Sequence, residues 1–149
     1  MRLRRLATVL VLTVLATGAL AACGSDGPQV SATAGAAATA APSAGAHLDA
    51  AQFAAALKRP GTTVLDVRTP GEFAQGHLPG AVNLDIEGAD FGARMAQLDP
   101  AGAYAVYCRS GNRSGVALEA MAQSGFTGAY DLAGGIGAWQ QAGGEVVTG

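Results

Sequence analysis

The chain has little charge, few sulfur atoms and no basic field. Only 13% of its 149 residues are charged, and nine Lys and Arg against eleven Asp and Glu leave a formal net charge of −2. That balance cannot hold a polyanion by electrostatics, so no nucleic-acid partner is expected. The two histidines, His47 and His77, and the two cysteines, Cys23 and Cys108, stand far apart. None sits at metal-ligand spacing from another, so neither a metal site nor a cofactor is expected. There is no internal repeat, and beyond the first residues no apolar run is long enough to span a membrane.

What is present divides the chain in three. Residues 1–22 have the make-up of a targeting segment, with Arg2, Arg4 and Arg5 ahead of an apolar stretch from Leu6 to Leu20. Leu20-Ala21-Ala22-Cys23 resembles the lipobox of bacterial lipoproteins. That resemblance implies cleavage before Cys23 and a diacylglyceryl group on its sulfur, which would anchor the chain stably to a membrane outside the cytoplasm. Residues 23–46 hold this cysteine and a linker of Ala, Ser, Thr, Gly and Pro whose only charge is Asp26. Such a segment has too few bulky apolar residues for a core and is expected to be disordered. As a flexible coil it would reach roughly 25–30 Å. Residues 47–149 are enough for one small domain with a single core.

Within that domain strands and helices alternate. His47-Leu48 reads as a short edge strand, and Asp49 as the N-cap of a helix over 50–58 that Pro60-Gly61 ends. Thr62 to Val67 reads as a strand buried on both faces. Thr69 to Glu72 opens a short helical turn closed by Gly76. A second buried strand is predicted over 81–84, a helix over 89–98 and a strand over 103–107. A helix follows over 115–123, with Ala117, Ala120 and Met121 toward the core. A strand over 129–132 and a helix over 135–141 complete the order. Short connections between alternating elements imply a three-layer α/β fold, a mainly parallel central sheet with helices on both faces. Ligand chemistry in such folds gathers at the carboxyl ends of the strands, here at Cys108 and at Asp66-Val67-Arg68.

Cys108-Arg109-Ser110-Gly111-Asn112-Arg113-Ser114 lies between a strand and a helix. A free cysteine is most often a buried filler. Here small residues and two arginines surround it, so loop amides and the helix dipole would favour its thiolate in an electropositive, part-exposed setting. With Cys23 lipidated, Cys108 would have no disulfide partner, which also marks it as reactive.

Three segments share the signatures of one family. Leu65-Asp66-Val67-Arg68-Thr69-Pro70-Gly71-Glu72-Phe73 with Gly76-His77-Leu78-Pro79-Gly80-Ala81, the loop from Tyr107 to Ser114, and Leu132-Ala133-Gly134-Gly135-Ile136-Gly137-Ala138-Trp139 together resemble rhodanese domains. The resemblance covers essentially all of 48–147; Asp85, where the family often has proline, is a small departure in a loop. It implies a sulfurtransferase that moves sulfane sulfur from thiosulfate or a related persulfide donor to cyanide or a thiol through a Cys108 persulfide. Arg109, Ser110, Gly111, Asn112, Arg113 and Ser114 would cradle the sulfur, with Arg109 and Arg113 facing an anionic substrate. Asp66 and Arg68 form a second tier at the pocket. Related cysteine phosphatases carry arginine where Ser114 stands, so the shorter loop from Cys108 to Arg113 argues against phosphate chemistry.

Asp66, Arg68, Glu72 and His77 are titratable groups at one turn, and their simplest role is structural: carboxylates there accept backbone N–H groups and pair with arginine. Gly134 and Gly135 are expected to permit a close backbone approach, and Trp139 to be a core aromatic. Two other functions share these features: a persulfide carrier or redox relay serving a protein donor or acceptor, and a non-catalytic domain that only displays a binding surface.

Overall fold

Side chains on a strand alternate between faces, so a sheet covered by helices on both sides needs apolar residues at nearly every position. Residues 40–149 are described by the computed structural model; the expected targeting segment 1–22, the lipid-bearing Cys23 and the linker as far as residue 39 lie outside the described residues. The strands are β1 (His47–Leu48), β2 (Thr62–Asp66), β3 (Val82–Asn83), β4 (Ala103–Tyr107) and β5 (Gly128–Leu132). They form one sheet in the order β1-β5-β4-β2-β3, every neighbouring pair parallel. The helices between and after them are α1 (Ala50–Leu57), α2 (Pro70–Gln75), α3 (Phe91–Met95), α4 (Asn112–Gln123) and α5 (Gly135–Gln141). This is the α/β architecture expected from the alternation of elements.

β4 shows how the layers form. Tyr104, Val106 and Cys108 point to one face and pack with Met95 of α3 and with Ala117, Leu118 and Met121 of α4. Ala105 and Tyr107 point to the other and pack with Phe53 and Ala56 of α1 and with Ile136 and Trp139 of α5. On that second face Phe53 is fully buried and meets the rings of Tyr130 and Trp139 edge-on, each at 6.2 Å between centroids.

The helix starts follow local chemistry. The Asp49 carboxylate accepts from the Gln52 amide at 2.8 Å and the Gln52 side chain accepts from the Asp49 amide at 3.1 Å, a reciprocal cap for α1. Thr69 and Glu72 repeat the arrangement at α2, where Pro70 occupies the first turn. α4 has no side-chain cap; Gly111, at φ +96°, turns the chain into it.

Three elements differ from the reading of the sequence. The strand predicted over 81–84 shortens to Val82–Asn83 at the sheet edge, and Val82 is exposed instead of buried because nothing pairs with its outer side. The helix predicted over 89–98 contracts to Phe91–Met95, since Asp90 makes no side-chain cap and turns replace its ends. The helix predicted from Gly115 starts three residues earlier, at Asn112, because the left-handed Gly111 completes the reversal by itself. Gly45 and Ala46, counted above with the linker, are hydrogen-bonded to β5: the Gly45 amide donates to Ala129 and the Ala46 carbonyl accepts from Asp131.

Truncating Phe53 removes the shared partner of two aromatic rings. Phe53→Ala is expected to destabilise the domain by about 3–5 kcal/mol in urea unfolding, with the slope of the transition unchanged.

Candidate active site

Cys108 follows the last residue of β4, at the carboxyl end of the sheet. The Gly111 amide donates to its sulfur at 3.1 Å. The reason lies in the turn: Arg109, Ser110 and Gly111 span the gap, and the left-handed Gly111 folds its own N–H back over the sulfur. Because α4 begins at Asn112, Ser114 lies in its first turn, where amides have no intrahelical partner. Burial opposes ionisation of the thiol, but the Ser114 and Ser110 amides, the Ser114 hydroxyl and the Gly111 amide outweigh it and hold Cys108 below the ordinary thiol value. The cradle is therefore half loop and half helix terminus.

A second turn clamps the first from behind. The Ile136 amide donates to the Cys108 carbonyl at 2.9 Å. Gly135, at φ +60°, lies so close that a Cβ there would fall on the Cys108 carbonyl oxygen and 2.5 Å from the Arg109 carbonyl carbon. The sequence reading of Gly134-Gly135 as a close backbone approach describes this contact. Cys108 itself is 0% exposed, which corrects the part-exposed setting expected from its polar neighbours. Those neighbours supply backbone amides to the sulfur, and the packing of β4 against α4 closes over its side chain.

The charged residues sort into two groups. Asp66 is fully buried and takes Arg68 in a two-pronged pair, Arg68 Nε to Oδ1 at 2.9 Å and Nη2 to Oδ2 at 2.5 Å. Arg68 Nη2 also donates to the Gly76 carbonyl at 2.7 Å, so the pair ties β2 to the end of α2. Arg113 pairs with Glu72 through both terminal nitrogens, at 2.7 and 2.8 Å, and reaches Glu87 at 3.3 Å. Of the two arginines expected to face substrate, Arg113 is thus engaged by carboxylates. No ion pair among the described residues uses Arg109. Arg109 is exposed and, with Arg68, Glu72, Gln75, Ile136 and Gln140, lines a cavity of about 450 Å³ beside the loop. Asn112 and Ser110 are exposed at its turn, and Ser114 is buried beneath. His77 Nδ1 donates to the Phe73 carbonyl at 3.0 Å and its ring stacks on the Phe73 ring, which gives it the structural role expected.

Reasoning from sequence missed one group. Asp131 of β5 is 1% exposed, takes the Ser114 hydroxyl at 2.7 Å and lies 2.6 Å from His47 Nδ1. A lone carboxylate inside the otherwise apolar strand 128–132 was the available signal. Among the described residues no cluster of three His, Cys, Asp or Glu could hold a metal ion.

The Arg113 guanidinium holds the Glu72 carboxyl at about 2, helped by the Thr69 amide and hydroxyl and opposed by partial burial. A depressed carboxyl pKa stabilises the fold above the unfolded value near 4.3 and loses that contribution as pH falls toward 2. Glu72→Gln is accordingly expected to flatten the loss of stability between pH 5 and 2, measured by urea midpoints across that range.

Comparison with known proteins agrees with this geometry. Residues 49–142 match the model of the rhodanese-like domain. A sulfurtransferase from Allochromatium vinosum is 37% identical over 85 residues, covering 57% of this chain and 78% of the relative. The thiosulfate sulfurtransferase GlpE of Pseudomonas entomophila is 39% identical over 88 residues, covering 58% of this chain and 78% of the relative. Among solved structures, a rhodanese-related protein from Thermoplasma volcanium superposes with a TM-score of 0.62 at 34% identity, covering 70% of this chain and 99% of that one. With a strand-end cysteine under loop amides, a glycine turn behind it and a family match over most of its length, this chain belongs to the rhodanese-like family.

Proposed function

We propose that the chain is a sulfurtransferase that uses Cys108 as its nucleophile, with thiosulfate or a related persulfide as donor. The observation that carries this reading is the convergence of the Gly111, Ser110 and Ser114 amides on one sulfur, which favours the thiolate. The thiolate attacks the outer sulfur of thiosulfate. The S–S bond breaks, sulfite leaves with the electron pair, and the cysteine becomes a persulfide. The same amides then face a terminal sulfur that carries the negative charge. Cyanide or a thiolate attacks that sulfur and returns Cys108 to the thiolate, so no external oxidant or reductant is needed.

Arg109 is the substrate-facing cation in this reading. It stands in the cavity wall, whereas the charge of Arg113 is largely met by Glu72 and Glu87. Arg113 acts one step away, fixing the first turn of α4 against α2. Asp66 serves by holding Arg68 at the cavity. Lipid on Cys23, an extracytoplasmic site and a tether from Gly24 to the point where Gly45 joins β5 complete the proposal, supported by the sequence of the N-terminal segment. The full burial of Cys108 favours one second reading, a persulfide carrier that loads slowly and hands its sulfur to a protein partner.

Intact mass of the full chain, before and after thiosulfate, tests the first step. The expected result is the gain of one sulfur atom, absent from Cys108→Ser and lost on adding cyanide with release of thiocyanate. A stable adduct with little turnover would select the carrier, and Cys108→Ser with full activity would overturn both. Arg109→Ala is expected to lower kcat/KM for thiosulfate by about 10-fold or more, and Arg113→Ala to act mainly through stability.

A further inference from the structure

A line of short contacts runs from Ser114, in the first turn of α4, to the protein surface on the α4 side of the sheet. Alternation along β5 sends Tyr130 and Leu132 to the α1 and α5 layer, so Asp131 faces α4, as Ala129 does. There its Oδ2 accepts from the Ser114 hydroxyl at 2.7 Å and its Oδ1 lies 2.6 Å from His47 Nδ1. Asp131 is 1% exposed, while the His47 side chain is 64% exposed. A carboxylate so buried is costly unless paired, and His47 is its one cationic partner among the described residues.

Ser114 has one hydroxyl proton and several acceptors around it. Asp131 Oδ2 is at 2.7 Å and the Gly111 carbonyl at 3.0 Å, and hydrogen bonding from the same hydroxyl is one of the influences that lower the pKa of the Cys108 thiol. A carboxylate takes that proton in preference to a neutral carbonyl or a thiol. His47, with Nδ1 against Oδ1, draws off part of the carboxylate's charge whenever the ring is cationic. That weakens its hold on the Ser114 proton and reduces its repulsion of a thiolate, two effects of the same sign. We propose that His47 is a positioning residue for Cys108, acting through Asp131 to leave the Ser114 hydroxyl freer to turn toward the sulfur and so to favour the thiolate. The inference rests on Cys108 being the nucleophile.

Two other charged groups face this line. Glu119 of α4 lines the same hollow as His47, and the charge of Arg113 acts on Cys108. Glu119 does not bridge His47 to the sulfur, so it serves as the control on the route, whereas Arg113 acts on the sulfur directly and is left unchanged.

The test is the pH profile of Cys108 alkylation by iodoacetamide in the full chain, read by mass, which needs no sulfur donor. His47→Gln keeps an N–H donor and drops the charge; His47→Ala drops both. Both are expected to move the midpoint of thiol ionisation upward and to slow alkylation below it about three- to tenfold. Glu119→Gln is expected to superimpose on the parent protein, and His47→Ala to change nothing further in an Asp131→Asn background. Coincident profiles for His47→Ala and the parent protein would overturn the proposal. So would a shift that persists in the Asp131→Asn background, or one matched by Glu119→Gln. Where Asp131→Asn does not fold, His47→Gln decides alone. A normal His47 effect with no persulfide from any donor would instead count against sulfur transfer and leave the positioning role intact.

Discussion

The contact on which this site depends is made by backbone alone. The turn at Gly134-Gly135 lies against the carbonyls of Cys108 and Arg109 with no room for a side chain, and the Ile136 amide holds the Cys108 carbonyl. That contact sets the direction of the peptide groups that follow, and so aims the Gly111 amide at the sulfur. Everything else at the loop is arranged around a path already determined by two pieces of main chain pressed together. Side-chain chemistry enters only afterwards, in which cation lines the cavity and which is engaged by a carboxylate.

Burial and ionisation pull against each other at Cys108. A thiol removed from water resists losing its proton, and here the amides of a tight turn and a helix terminus prevail. The electrostatics that favour the thiolate come from dipoles fixed by the fold more than from a neighbouring charge. The arginines divide the remaining work. Arg68 and Arg113 are engaged by Asp66 and Glu72 and connect β2, α2 and α4, while Arg109 stays at the cavity wall. Among the described residues, the Arg109 guanidinium lines the cavity beside the loop without an ion-pair partner.

Much of this was legible in the sequence, for identifiable reasons. The strands read at 62–67, 103–107 and 129–132 announce themselves by short runs of β-favouring and apolar residues, as burial on both faces demands, and fall within a residue of those observed. The caps at Asp49 and Thr69 are local and need no tertiary knowledge. What eluded sequence reasoning depends on long-range pairing. Val82 looks like a core residue until its strand proves to be an edge. Arg113 looks like a substrate ligand until Glu72, distant in sequence, is placed beside it. His47 looks isolated until β1 docks on β5 and meets Asp131. The polar residues around Cys108 suggested an open thiol, because small side chains mark both exposed loops and tightly closed ones.

The chain enters the domain by way of β5. The Gly45 amide is bonded to Ala129, the Ala46 carbonyl accepts from Asp131, and His47 follows at once. A pull on the N-terminal segment would be carried first by these bonds and passed directly to the buried Ala129 and Asp131. The mechanical attachment point of the domain thus coincides with the strand that holds the carboxylate beneath Ser114.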